Sequence, residues 1–294
     1  MGLLNIFKNK NKECNKIAKL GRYEEALQCY NKILDKYPKN AVSWYNKGLT
    51  LNKLGEHEEA LQCYNKALEI NPKNGNAWHN KGLTLNKLGE HEEALQCYNK
   101  ALEINPEDAE SLYNKGRALN KLERYGKAVK YYESALKIDQ EYFEAWHSKG
   151  NALLKLEEYK KALECYNKAL ELNTKSEYSW NNKCVALRNL GRYDEALDCI
   201  NKALELNPES EYSWHEKGNL FQKLGKYEEA LKYYNKSLEI DNDEETWLEK
   251  GRTLKELKKY SESLECYDKA LEIDPDFEEA KGAKEELLTL MDEN

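Results

Sequence analysis

The chain has 294 residues, of which 34% are charged and 40% hydrophobic, and a formal net charge of −7. This mild acidic excess argues against a nucleic-acid backbone or an anionic membrane surface as partner, and no run reaches the ~18 apolar residues of a membrane span. The 21 tyrosines and 6 tryptophans argue against a disordered chain.

The first apolar cluster, Leu3, Leu4, Ile6 and Phe7, is followed by Lys8 and Lys10 with no small-residue cleavage site. We expect it to cap the first structural unit rather than to direct export, and a cytoplasmic location follows by default. From there the chain is periodic. Gly48 to Pro72 recurs unchanged as Gly82 to Pro106, and Trp44, Trp78, Trp146, Trp180 and Trp214 are spaced by 34 or 68 residues. Trp247 follows after 33, so one residue is missing near Asn242, and Leu112 fills the vacant tryptophan slot. All five prolines, Pro38, Pro72, Pro106, Pro208 and Pro275, share one phase. With each tryptophan fourth in its unit, the units run 41–74, 75–108, 109–142, 143–176, 177–210, 211–243 and 244–277. A degraded unit, 7–40, precedes them, with Lys10 in the tryptophan's place. A helix-forming segment, 278–294, follows them without a second helix.

Inside a unit the apolar residues have helical spacing. Trp44, Gly48 and Leu51 lie at i, i+4 and i+7, one face of a first helix. Gly55 marks the turn. A second stripe follows, Ala60, Leu61, Tyr64, Ala67 and Leu68, until Pro72 stops it. Asn40, Asn74 and Asp108 stand where N-caps are wanted. Each unit is therefore two antiparallel helices, with Gly48, Ala60 and Ala67 allowing close backbone approach.

The spacing of tryptophan, glycine, alanine, aromatic and proline resembles the tetratricopeptide repeat. In 211–243 the pattern reads Trp214, Gly218, Phe221, Tyr227, Ala230 and Tyr234, and the resemblance covers residues 7 to about 277. It implies an all-α fold, an α-α superhelix forming a right-handed solenoid of 34-residue helix–turn–helix units. Residues 1–277 would be a single solenoid and 278–294 a C-terminal capping helix, with a polar outer face such as arrays need. Several departures stand out. Cys184 replaces the close-packing glycine, Ser237 and Ser263 replace alanine, His57 and His91 replace tyrosine, and Glu123, Glu157 and Lys258 replace the turn glycine.

No residue set looks catalytic. Cys29, Cys63, Cys97, Cys165, Cys199 and Cys266 share one second-helix position, and Cys14 and Cys184 share one first-helix position. Equivalent positions in neighbouring units lie ~10–20 Å apart, whereas a disulfide needs Cα atoms within ~7 Å and zinc needs sulfurs at ~2.3 Å. We therefore expect structural thiols, with no metal and no cofactor. His79, His147 and His215 recur two units apart and cannot converge. There is no Gly-rich phosphate loop, His-Glu-x-x-His or nucleophile elbow, so no enzyme is expected.

The resemblance implies that first helices line a concave groove where protein partners lie. The candidate partner-binding residues are first the pairs just after the tryptophan slot: Tyr45 and Asn46, His79 and Asn80, Tyr113 and Asn114, His147, Asn181 and Asn182, and His215. Further along the same helices come Asn86, Arg117, Asn120, Asn151, Arg188 and Asn219. An asparagine amide offers a donor and an acceptor, so a ladder of them could hold the backbone of an extended peptide, whatever its side chains. Tyrosine and histidine beside it supply stiff contact area. The clamp that some family members use on chaperone tails is not matched, since Val42, Asn76, Glu110, Tyr45, His79 and Tyr113 occupy its positions. Charge divides the groove. Up to Asn86 only Lys53 and Lys87 stand at its edge, while the C-terminal part carries Glu216, Glu245, Glu249 and Arg252. The expected function is a protein-interaction scaffold, with the peptide mainly along 41–210 and positive charge favoured beyond. The alternative is a self-assembling structural solenoid.

Overall fold

The computed structural model describes residues 2–292, with side chains from Lys10 onward. The cap expected of Leu3, Leu4, Ile6 and Phe7 lies outside the described side chains. Among the described residues there are helices and no strands. The helices are α1 (Gly2–Lys19), α2 (Tyr23–Lys36), α3 (Ala41–Leu54), α4 (His57–Ile70), α5 (Gly75–Lys87), α6 (His91–Ile104), α7 (Ala109–Lys121), α8 (Tyr125–Ile138) and α9 (Phe143–Lys155). They continue as α10 (Tyr159–Leu172), α11 (Glu177–Asn189), α12 (Tyr193–Leu206), α13 (Glu211–Lys223), α14 (Tyr227–Ile240), α15 (Glu244–Glu256), α16 (Tyr260–Ile273) and α17 (Glu278–Asp292). Every 34-residue period thus yields one odd-numbered and one even-numbered helix, giving an all-α repeat array.

The chain divides into two compact bodies, residues 1–152 and 153–294. In the first, α3 packs on α4, α5 on α6 and α7 on α8, each pair contacts the next, and the odd helices α1, α3, α5 and α7 touch in sequence. In the second, α11 packs on α12, α13 on α14 and α15 on α16, with α11, α13, α15 and α17 touching in the same way. Each unit therefore buries its apolar stripe only against its neighbours, which is how repeat arrays stabilise themselves.

The seam inside a pair rests on glycine. A Cβ on Gly48, Gly82 or Gly116 would stand 2.6–2.8 Å from the ring of Tyr64, Tyr98 or Tyr132. No side chain fits at that distance, so the tyrosine ring takes the space that glycine leaves. Where Cys184 replaces the glycine, Ile200 replaces the tyrosine, and both are fully buried. Ser237 and Ser263, in place of alanine, each give their hydroxyl proton to a carbonyl of the facing helix, Glu211 at 2.8 Å and Gly251 at 2.7 Å. At the turns, Gly21, Gly55, Gly89, Gly191 and Gly225 have positive φ, and so do Glu123 (57°), Glu157 (59°) and Lys258 (59°). The left-handed conformation costs an L residue ~1–2 kcal/mol, so these three turns are the strained ones.

The tryptophans tie each first helix to the loop before it. The indole Nε1 of Trp44, Trp78, Trp146, Trp180 and Trp214 donates to the carbonyl six residues back, at 2.8–2.9 Å. In the 33-residue unit that carbonyl is out of register, and Trp247 donates to the Asn242 side chain at 2.7 Å instead.

Two expectations change, at Cys14 with Cys29 and at Asp108. Cys14 and Cys29 form a disulfide, with Cα atoms 5.5 Å apart. Comparing equivalent positions between units overlooks it, because these two residues sit on facing helices of one unit. The other six cysteines are thiols. The degraded unit forms its first helix despite Lys10: the bridge holds it, Ser43 Oγ donates to Asn11 Oδ1 at 2.8 Å, and the Tyr30 hydroxyl donates to Asn15. Asn40, Asn74, Ser176, Ser210 and Asp243 cap their helices through side chains, but Asp108 does not. Its carboxylate accepts from the Ser111 hydroxyl instead.

Candidate functional site

The residue just after the tryptophan slot is committed between neighbouring first helices. Asn11 is bonded to Ser43, the His79 Nδ1 lies 2.7 Å from Ser111 Oγ, Ser213 Oγ donates to Asn181 Oδ1 at 2.9 Å, and the His215 Nδ1 lies 2.6 Å from Thr246 Oγ1. In each case a hydroxyl stands 31 or 32 residues ahead. Where that residue is alanine (Ala77, Ala145 or Ala280), the residue behind it is Tyr45, Tyr113 or Leu248. Polar side chains meet hydroxyls and bulky ones meet alanine. His79 and Asn181 are accordingly buried. They are not open groove residues as expected, since a buried polar group must find its partner inside the fold. The His79 Nε2 is left without a hydrogen bond, with Glu110 3.5 Å away.

Two turns further along each first helix, a second series joins the helix to its tyrosine. Asn52 Nδ2 donates to the Tyr64 hydroxyl at 3.1 Å and Asn86 Nδ2 to the Tyr98 hydroxyl at 3.0 Å. Their Oδ1 atoms meet His57 and His91 at 2.9 and 3.1 Å, which explains histidine at those two positions. Asn120 has the same place, with its Oδ1 buried and unpartnered. In residues 153–294 the place is held by Leu154, which has no polar group, and then by Arg188, Gln222 and Lys255, each of which reaches the next first helix. Arg188 pairs with Glu216 at 3.2 Å, Gln222 Nε2 donates to Glu249 at 3.2 Å and Thr253 at 2.9 Å, and Lys255 pairs with Glu286 at 2.7 Å. The tyrosines respond. Ile200 has no hydroxyl, Tyr234 donates to Asn219 Oδ1 at 2.8 Å, and the Tyr267 hydroxyl is buried without a hydrogen bond.

Several of the remaining candidates are more open. Asn46, Tyr45, Asn80, Tyr113 and Asn182 are half-buried, and Arg117 is exposed. Asn80 Nδ2 donates to the Tyr45 hydroxyl at 3.1 Å and to the Asn76 carbonyl at 2.8 Å. Asn114 is buried and donates to the Glu110 carbonyl at 2.9 Å. Arg117 lies over the Tyr113 ring at 5.8 Å. Asn151 Nδ2 donates to His147 Nε2 at 3.1 Å, and burial lowers the His147 pKa below its ordinary value. Asn219 also donates to Glu216, at 3.2 Å.

Two recesses lie along the first helices. In residues 1–152, Asn86, Arg117, Asn120, Lys121 and Asn151 line a cavity of about 140 Å³ without a carboxylate. In residues 153–294, α13, α15 and α17 enclose about 910 Å³, lined by six glutamates together with Arg188, Lys223, Arg252 and Lys255. Reading the sequence missed Tyr267, Lys255 and the α17 residues Glu279 and Glu286 in this wall. The Lys255 signal was present, as the break in the Asn52 series.

The comparisons bear on the fold. A tetratricopeptide repeat protein from Parabacteroides merdae superposes with a TM-score of 0.70 at 21% identity, covering 84% of this chain and 98% of that one. MamA from Desulfovibrio magneticus gives 0.55 at 24% identity, over 57% and 94%. The Pseudomonas aeruginosa pilF structure gives 0.59 at 20% identity, over 72% and 97%. No curated protein matches. Models of the tetratricopeptide repeat match residues 16–40, 41–74, 74–141, 143–175, 177–210, 212–243 and 244–277. With nearly its whole length matched in the phase that its helices follow, the chain belongs to the tetratricopeptide repeat family.

Proposed function

We propose that this protein is an interaction scaffold whose first helices hold an extended segment of a partner protein. The observation that carries this reading is that, in each body, polar side chains of successive first helices line a recess. The first-helix residues suited to contact are those left exposed or half-open: Asn46, Asn80 and Arg117 in residues 1–152, and Asn182 in 153–294. Their amides and guanidinium group suit a peptide backbone, which alternates donors and acceptors. Family membership supports a role in protein interaction in general.

The test is selection of peptides from a random display library on the intact chain. Binding of the selected peptides is then measured on the wild type and on Asn46→Ala/Asn80→Ala/Arg117→Ala. Asn114 is left intact, since it is buried. We expect a loss of about tenfold or more, the scale of interface hot spots, with an unchanged melting temperature. Equal affinity for every selected peptide would move the site off the first helices of residues 1–152. A library that yields none, with mass rising with concentration in sedimentation, would favour the self-assembling alternative.

A further inference from the structure

We propose that the recess between α13, α15 and α17 receives a lysine or arginine side chain of the partner. The inference rests on the scaffold reading and names the chemistry that one part of the surface selects. Three of the four cations in its wall are already matched: Arg188 by Glu216 at 3.2 Å, Arg252 by Glu249 at 2.5 Å and Lys255 by Glu286 at 2.7 Å. That leaves the exposed carboxylates of Glu245, Glu256 and Glu279 facing one ammonium, Lys223. The recess is therefore short of positive charge, and its concave shape concentrates the resulting field.

A second observation points to a ligand independently. Tyr267 lines the same recess, is fully buried, and its hydroxyl has no hydrogen bond. In residues 1–152, an asparagine two turns along the first helix serves this hydroxyl at Tyr64 and Tyr98. Here Lys255 holds that place and turns to Glu286. Ser263 lies beside the hydroxyl but gives its proton to the Gly251 carbonyl. An orphaned buried hydroxyl is costly, and its oxygen can accept from an ammonium or guanidinium N–H. Leu248, Phe277 and Ala283 supply apolar wall for the methylene stem, as long cationic side chains require. The volume of about 910 Å³ leaves room for the neighbouring residues of an extended segment.

The test uses the full chain and fluorescein-labelled Gly-Ser decapeptides carrying two central lysines, two glutamates or two norleucines, read by anisotropy. The lysine probe should bind, and the other two should bind at least about tenfold more weakly, the scale of hydrogen bonds to a charged group. Glu245→Gln/Glu256→Gln/Glu279→Gln should lose about tenfold for the lysine probe, and Tyr267→Phe should lose severalfold at an unchanged circular-dichroism melting curve. Glu164→Gln/Glu239→Gln/Glu272→Gln removes the same charge from exposed second-helix positions and should change affinity less than twofold. Equal losses in the two triple variants, no preference for lysine, or no lysine binding at millimolar protein would each overturn the proposal. Display-selected peptides that bind the first helices yet lack lysine and arginine would sink this inference while leaving the scaffold reading intact.

Discussion

Residues 1–152 and 153–294 use the same repeat, yet they finish its first helices differently. In the first body Asn52 and Asn86 reach down to the tyrosines of their own units, and Asn52 also donates to Thr84 of the next first helix at 2.6 Å. In the second, Arg188, Gln222 and Lys255 reach sideways to the next first helix. The longer and charged side chains at this one position replace a neutral amide with the ion pairs of Arg188 and Lys255. They also displace the tyrosine hydroxyl, which is lost at Ile200, adopted by Asn219, or orphaned at Tyr267. Because each repeat packs only on its neighbours, such a change is felt locally and the helices stay in register. A repeat array can therefore vary its binding chemistry without touching the Gly–Tyr seam that builds it.

The largest test of that contrast is at the buried pair. The Arg188 and Glu216 side chains are only 16% and 8% exposed. Glu216→Gln leaves the guanidinium inside without its counter-charge and should cost ~3–5 kcal/mol, read as local opening of α11 and α13 by hydrogen exchange. Arg188→Met/Glu216→Leu should recover most of that loss; a double variant as unstable as the single would show that the pair is not the cause. The matching change in the other body, Asn86→Ala, strands the Tyr98 hydroxyl and should cost a smaller ~1–3 kcal/mol.

The cysteine pairs sharpen the comparison next. Cys14 and Cys29 are bridged, while Cys184 and Cys199, at the same two positions of unit 177–210, are thiols. Cys14→Ser/Cys29→Ser opens a loop closed over 15 residues and should lower the stability of α1 and α2 by ~3 kcal/mol. Reductant should do the same to the wild type and leave α11 and α12 unmoved. An equal response in both bodies would contradict the assignment.

The smallest expected effect is with pH. Burial lowers the His147 pKa from its ordinary 6.5, so the unfolded chain takes up the proton first as pH falls. The stability contributed by the neutral ring is present above about pH 6.5 and declines as pH drops from there toward the folded-state pKa. Protonation also removes the Nε2 acceptor that Asn151 uses. His147→Gln should flatten the slope of melting temperature between pH 7.5 and 5.5; an unchanged slope would place the acid sensitivity elsewhere.

Much of the fold was legible because its determinants sit at fixed offsets. Trp, Gly, Ala and Pro recur every 34 residues, and helix periodicity turns each recurrence into the same contact. The site was less legible. Asn80 and Asn114 share a position and a composition, yet one is half-open and the other buried. A groove residue's exposure depends on what the adjoining first helix presents to it. The hydroxyl–alanine alternation 31 or 32 residues ahead was present in the letters, but nothing local distinguishes it from ordinary helix-face variation.

By itself, then, the sequence determined the period, the two-helix unit, the small-residue seam at Gly48, Ala60 and Ala67, and the turn positions. All of these follow from short-range spacing and from steric rules that hold in any packing. Tertiary structure alone decided that Cys14 meets Cys29, that His79 and Asn181 are spent between repeats, and that the hydroxyl of Tyr267, a residue lining the recess, is buried and unpartnered. Those outcomes turn on which of several chemically able side chains comes within ~3 Å of which atom, a distance that only the packed neighbours set.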